Sequence, residues 1–93
     1  MKTIVIECSN LKSISEFWDR YVREVQPQGA EHFGRNLDAF NDALAGGPGF
    51  PGKCELVFRN SEALDSLQTG FLKILKDIVA KSSAWNEVVV VFA

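Results

Sequence analysis

The stretch that decides the fold of this chain, and points to its function, is HFGRNLDAFNDALAGG, residues 32–47. It opens with a glycine loop and continues with Asn36, a residue type that caps helix starts. The spacing of apolar residues then predicts a helix, and Gly46 and Gly47 are typical of a helix end. No catalytic nucleophile, metal cage or phosphate loop accompanies the stretch, so a binding role is favoured over a reaction.

The predicted helix is amphipathic, with acid on its outer side. At about 100° of rotation per residue, one side is apolar and the other polar. The apolar side is formed by Leu37, Phe40 and Leu44. The polar side carries Asp38, Asp42 and Ala45, with Asn41 at its margin. The helix dipole alone explains Asp38, whereas Asp42 adds a like-charged neighbour one turn later. Two interpretations therefore stay open: an ordinary polar face, or a surface that binds a basic partner.

Length and composition indicate one domain spanning residues 1–93. Hydrophobic residues make up 46% of the chain and charged residues 24%, which is an ordinary globular composition. The formal net charge of -2 argues against a protein that binds the nucleic-acid backbone, since such proteins carry a basic face.

The cysteines and the N-terminal residues indicate a cytoplasmic address. Cys8 and Cys54 lie far apart and form no metal-binding pattern, so we interpret them as buried, reduced thiols. Charges at Lys2 and Glu7 interrupt the first apolar run too early for a signal peptide, and no segment reaches transmembrane length. The sequence suggests no metal and no cofactor.

Three short apolar runs predict strands at residues 4–6, 54–58 and 88–92. Four helices are predicted. The first follows a Ser13 cap and runs to about residue 25, and the second spans residues 37–46. The third begins at residue 60 or 61 and ends at about 67, and the fourth spans about 70–81. Because the strands do not alternate, they are typical of a parallel sheet covered on both faces. We therefore predict an α/β fold with a three-stranded parallel sheet and four helices, placed above and below it.

Several apolar side chains are assigned to the interior on the same grounds. Trp18 and Tyr21 of the first helix are expected in the core, and Trp85 is expected to cover one end of the sheet. The inner side of the last helix is predicted to consist of Phe71, Ile74, Leu75 and Ile78.

Residues 32–44 resemble the signature of the barstar family of bacterial ribonuclease inhibitors. In order, that signature has an aromatic pair, Gly, any one residue, Asn-Leu-Asp-Ala, any two residues and Asp. The order of the predicted strands and helices is also similar to that of the family, so the resemblance covers the whole chain. It implies a barstar-like immunity protein, not an enzyme, which blocks the basic active site of a ribonuclease with its second helix and the preceding loop. The implied inhibitor is a monomer when free and binds its target one to one.

The resemblance also implies roles for individual residues. Asp42 takes the place of RNA phosphate in the nuclease, Asp38 meets basic residues at the rim, and Ala45 and Gly46 make close backbone contacts. Asp77, near the middle of the fourth helix, adds a further acidic contact. The full expected partner-binding set is His32, Phe33, Arg35, Asn36, Asp38, Asn41, Asp42, Ala45, Gly46, Gly47 and Asp77.

Three positions depart from the family pattern. His32 stands in place of a tyrosine, Asn41 in place of a tryptophan, and Lys76 adjoins Asp77. These departures favour a partner surface that has diverged from that of the family. They also leave a second function open, namely a module that binds a basic protein which is not a ribonuclease. An enzyme that uses the paired aspartates is a weaker alternative, because adjacent exposed carboxylates lack the environments that separate acid from base, and two of them make no metal cage.

Overall fold

The computed structural model describes residues 2–82 and 87–93 and confirms the predicted α/β fold. The strands are β1 (Lys2–Glu7), β2 (Cys54–Arg59) and β3 (Val88–Phe92). The α-helices are α1 (Ile14–Val25), α2 (Leu37–Leu44), α3 (Leu64–Leu67) and α4 (Phe71–Ser82), with single 3₁₀ turns at Ala30–His32 and Ser61–Ala63. The expectation for Trp85 falls outside the described residues.

Both predicted helix caps are confirmed. The Ser13 hydroxyl accepts the backbone N–H of Glu16 at 3.1 Å, and the Asn36 side-chain oxygen accepts the backbone N–H of Ala39 at 2.7 Å. Each cap satisfies a backbone donor that the first turn of its helix leaves free, and so fixes where the helix begins.

The prediction that helices cover both faces of the sheet is wrong. The three strands are parallel in the order β1-β2-β3. Connections between parallel strands are almost always right-handed, so two crossovers that advance in the same direction pass over the same face. In accordance with this, buried residues alternate with exposed or half-buried ones along β1 and β2. The apolar runs rich in valine, which predicted helices on both faces, instead reflect the preference of β-branched residues for strands.

None of the helices in residues 2–82 and 87–93 covers the other side of the sheet, which we call the open face. It consists of Thr3, Val5, Glu7, Glu55, Val57, Arg59, Val89 and Val91. The covered side carries the buried strand residues Ile4, Ile6, Cys54, Leu56, Phe58 and Val88.

The core is centred on Trp18, whose burial, like that of Tyr21, confirms the sequence prediction. The Trp18 ring packs against that of Phe17 at 4.8 Å between ring centroids and against that of Phe40 at 5.7 Å. Within this cluster the aromatic rings meet mostly edge to face, the arrangement that ring quadrupoles favour. α1 is therefore held to α2 by aromatic contacts.

The predicted inner side of α4 is only partly correct. Phe71 and Leu75 are buried, and Ile78 is half-buried against the core. Ile74 is 44% exposed because it borders the groove between α4 and α2 instead of pointing toward the sheet.

Cys8 and Cys54 are free and buried, as predicted. Burial raises the pKa of the Cys8 thiol to about 12, and it also raises the pKa of Cys54. Both sulfurs are therefore held as unreactive thiols. Among the described residues, no helix is long and apolar enough to cross a membrane.

The carboxylate of Glu7 joins the ends of β1 and β2. It accepts hydrogen bonds from the Ser9 hydroxyl at 2.6 Å, the Asn60 amide at 2.7 Å and Arg59 Nε at 2.6 Å. The Ser9 hydrogen bond, followed by those of Asn60 and Arg59, lowers the pKa of Glu7 from 4.5 to about 2. Because the folded state favours the ionised form, Glu7 stabilises the fold above pH 4.5, and this contribution is lost as the pH falls toward 2.

We therefore expect Glu7→Gln to lower the free energy of unfolding at neutral pH. The difference from wild type should shrink as the pH is reduced from 4.5 toward 2, where the wild-type carboxyl also becomes neutral. Urea denaturation between pH 2 and pH 7 measures this difference. A difference that stays constant over that range would contradict the assignment.

Candidate functional site

The exposed side of α2 presents two carboxylates on a helix that is otherwise anchored. We call the surface formed by Asp38, Asn41, Asp42 and Ala45 the α2 face; all four are exposed. The opposite side of the helix is buried through Phe40, Ala43 and Leu44. Within the part of the chain that the structure describes, neither aspartate carboxylate forms an ion pair or a side-chain hydrogen bond. Their charge is therefore directed to solvent.

The loop before α2 combines one exposed and one buried ring. The side chain of His32 is 75% exposed, and its Nε2 lies 3.8 Å from the nearer carboxylate oxygen of Glu31. Phe33 is buried against Trp18 and Tyr21, at 5.8 Å and 5.5 Å between ring centroids. The Phe33 ring therefore anchors the loop, while His32 is the ring that a partner can reach.

Arg35 and Asn36 have structural partners within the protein. Arg35 adopts a left-handed backbone conformation with φ 53° and forms an ion pair with Asp19 of α1. Asn36 caps α2 and also donates its side-chain N–H to the carbonyl of Gly34 at 3.3 Å. Both residues are exposed, but their polar groups are used first to hold the start of α2.

The end of α2 is turned tightly by the glycines. The carbonyl of Asp42 accepts the backbone N–H of Ala45 at 3.1 Å and that of Gly47 at 2.9 Å. A Cβ atom at Gly47 would lie 3.0 Å from the same carbonyl oxygen, so any side chain there would press against the turn. Ala45 and Gly46 are exposed beside it, and they leave the backbone open to close approach.

The loops at the two ends of α2 are joined through Gly49. A Cβ atom at Gly49 would lie 2.6 Å from Cδ1 of Phe33, and the hydroxyl of Tyr21 donates to the Gly49 carbonyl at 2.8 Å. Burial raises the pKa of Tyr21, which keeps this hydroxyl protonated as the donor. No residue pattern singled out Gly49, because the only signal in the sequence was a loop rich in glycine and proline.

A groove of about 500 Å³ runs between α2 and α4, beside Asp38. Its lining consists of Asn36, Leu37, Asp38, Asn41, Ile74, Ile78 and Lys81. A smaller hollow of about 240 Å³ brings Lys81 next to Asp42 and Ala45 as well. Lys81 thus places a positive charge at the α4 border of the α2 face. Its spacing from Ile74 and Ile78 was the sequence signal for this position, since residues three and four apart share a side of a helix.

Asp77 does not line this groove. It lies in a separate depression with Asp65, Leu72, Lys73 and Lys76. The ammonium group of Lys76 lies 5.6 Å from the centre of the Phe92 ring, which draws that charge toward the end of β3. The structure therefore brings together the loop before α2, the α2 face and the turn after it, and it places Asp77 at a distinct position on α4.

The α2 face presents negative charge, and the described residues around it form neither a metal site nor an acid–base pair. In the described residues, no group of three or more His, Cys, Asp or Glu side chains could hold a metal ion. The two aspartates share one exposed environment, which does not separate an acid from a base. What the geometry offers is a rigid negative surface with a small backbone turn at one end and a lysine at its border.

Comparison with known proteins gives one finding. The chain matches the family model described as Barstar (barnase inhibitor) over residues 1–93, its whole length. A search of curated proteins finds no match.

We predict that Gly49→Ala destabilises the fold more than Gly46→Ala does. Both glycines have strongly positive φ, 93° and 106°, so both variants incur backbone strain. Only at position 49 would the added methyl group also overlap Phe33, and we expect this to cost about 1–3 kcal/mol more. Urea denaturation of both variants measures the difference, and equal losses would refute the proposed contact between the two loops.

Proposed function

Because the chain belongs to the Barstar family, described as barnase inhibitors, we propose that it inhibits a basic bacterial ribonuclease by setting the α2 face into the active site. The match over the entire chain supports the inhibitor role, and the geometry of α2 supports the mode of action. In this proposal residues 1–93 act as one domain, in the cytoplasm of the producing cell, as an immunity protein against that enzyme.

The observation that carries the proposal is the pair of unpaired carboxylates on α2. Ribonucleases gather Arg, Lys and His around the phosphate they cleave, because charge develops there in the transition state. A carboxylate held at that place substitutes for the phosphate. One such pair at about 4 Å gains ~4 kcal/mol at an effective dielectric constant near 20, before desolvation. Since desolvation removes much of this gain, several well-placed pairs are needed, and a helix that needs no rearrangement provides them.

Each residue of the predicted set takes a role that suits its position. Asp42 enters the phosphate site and Asp38 meets basic groups at the rim. The turn after α2 allows the enzyme to approach the backbone, and Asn41 lies between the two aspartates on the exposed side. The remaining members are His32 as an exposed contact, Phe33, Arg35 and Asn36 as holders of the loop, Ala45, Gly46 and Gly47 as the turn, and Asp77 as a separate acidic contact. One target binds to each α2 face.

A second candidate is a module that binds a basic protein other than a ribonuclease. His32 and Asn41, exposed where the family pattern has a tyrosine and a tryptophan, favour it. Lys81 also favours it, because a lysine beside the aspartates opposes a uniformly basic target. Calorimetric binding to a basic protein that does not cleave RNA, with no binding to barnase and no loss of its ribonuclease activity, would support this candidate against an inhibitor.

The direct test is cleavage of a fluorogenic RNA by barnase in the presence of this chain. We expect inhibition, and we expect Asp42→Asn to weaken it by about 2–5 kcal/mol, mainly through faster dissociation, which is the general cost of truncating one partner of a buried charge pair; close charge pairs between barnase and barstar are a measured case of such coupling. Asp38→Asn should instead mainly slow association and reduce its salt dependence, because it removes a charge at the rim.

The matched control is Glu62→Gln, which removes the same charge from an exposed residue outside α2. It should leave inhibition within about 0.5 kcal/mol of wild type, as expected for a surface substitution away from the interface. Equal effects of Asp42→Asn and Glu62→Gln would show that net charge, and not the α2 face, accounts for inhibition.

Lys81 gives a prediction of the opposite sign. We expect Lys81→Glu to raise the association rate constant with barnase by roughly two- to tenfold at low salt, because it removes a positive charge that repels a basic enzyme from the α2 face. Lys73→Glu makes the same change of charge on α4 but in the depression away from the groove, and it should have a smaller effect. Stopped-flow association rates that rise equally for both variants would contradict a local role for Lys81.

A further inference from the structure

The open face of the sheet is an apolar surface that the proposed inhibition does not use. Val5, Val89 and Val91 are 40%, 48% and 37% exposed, and Val57 is half-buried between the strands that flank it. The register places Val5, Val57 and Val91 side by side in one row across the three strands. Alternation along the strands directs this row away from α1 and α2, so the valines and the α2 face lie on opposite sides of the molecule.

The valine row lies between two rows that carry charge. On one side Glu55 aligns with Thr3, whose hydroxyl donates to the Glu55 carboxylate at 3.2 Å. On the other side Arg59 aligns with Glu7 and donates Nε to its carboxylate at 2.6 Å. The central strand therefore displays, in order along its exposed side, an acidic residue, a valine and a basic residue: Glu55, Val57 and Arg59.

We propose that the open face binds a second copy of this chain, with the two sheets stacked face to face and their strands antiparallel. A two-fold axis that lies across the strands at Val57 reverses the order of residues along each strand and keeps β2 above β2. Val57 then meets its equivalent, and the valine rows of the two copies coincide. Stacked sheets pack about 10 Å apart through such side chains.

Charge selects this arrangement over its alternative. In the antiparallel stack, Glu55 of each copy lies opposite Arg59 of the other, which gives two symmetric ion pairs around the valines. A two-fold axis along the strands would instead place Glu55 over Glu55 and Arg59 over Arg59. The Arg59 side chain bonds to Glu7 through Nε, and its terminal N–H groups have no partner among the described residues, so they can pair with the second copy.

The small size of the surface limits the strength of the contact. Three strands of five or six residues give a patch of roughly 15 by 18 Å in each copy, from the strand spacing and rise. This is well below the roughly 800 Å² per partner of a standard interface, so we expect a weak dimer with a dissociation constant on the order of 1 mM. The chain is then a monomer at the concentrations at which it would inhibit a nuclease, and both α2 faces stay exposed in the dimer.

Sedimentation equilibrium at 0.02–2 mM protein in low salt tests the proposal. We expect the mean mass of the wild-type chain to rise with concentration. Glu55→Arg and Arg59→Glu should each abolish the rise, because each places like charges opposite one another. An equimolar mixture of these two variants should recover it, since every ion pair then joins opposite charges again. Glu24→Arg, which makes the same charge change on the exposed side of α1, should behave as wild type.

Two further measurements make the result decisive. Far-ultraviolet circular dichroism of each variant shows whether it is folded. Association in the mixture depends on ion pairs between copies, so its recovery does not require either substitution to restore contacts within its own chain. Amide chemical shifts followed on dilution should change on the exposed strand residues and stay constant on α2. A wild-type mass that remains monomeric at 2 mM, a mixture that fails to associate, or shifts confined to α2 would each overturn the proposal. Inhibition of barnase is unaffected by any of these outcomes, so the two proposals stand or fall separately.

Discussion

The packing of Trp18 and Tyr21 against the elements around α2 is the interaction on which the candidate site depends. α2 has eight residues, and a helix of that length is unstable in isolation. Trp18 contacts the rings of Phe33 and Phe40, so it holds both the loop before the helix and the helix itself. Tyr21 contacts the same two rings and bonds to the carbonyl of Gly49, which holds the loop after it. α1 thus fixes α2 along its length.

This anchoring explains how the helix tolerates its own charge. Asp38 and Asp42 repel each other one turn apart, which costs a few tenths of a kcal/mol, and the Asn36 cap and the helix dipole each contribute enough to offset a cost of that size. Burial of the Phe40 and Leu44 side chains contributes several times more, about 1.5–3 kcal/mol each, and therefore decides the balance. The carboxylates can then be presented in fixed positions, which reduces the conformational entropy lost when a partner binds.

The sequence predicts those parts of the molecule that depend on local interactions. The caps at Ser13 and Asn36 and the two sides of α2 follow from neighbouring residues, and all of them are confirmed. The expectation of a sheet covered on both faces is wrong because valine runs report strand propensity, whereas coverage depends on strand order. The positions of Ile74 and Gly49 depend on how α4 and the glycine loop pack against α2, and no local pattern contains that information. The binding roles of His32, Asp38, Asp42 and Asp77 stay predictions.

Strand order also determines how the two exposed surfaces are related. A sheet that advances from β1 to β3 places its helices on one side and leaves the other side uncovered. The helical side carries the negative charge of α2, and the uncovered side carries valines between Glu55 and Arg59. A partner that occupies one surface does not reach the other, because the layer of core residues such as Leu56 and Phe58 separates them. The proposed recognition of a basic target and the proposed association of two copies therefore depend on separate sets of residues.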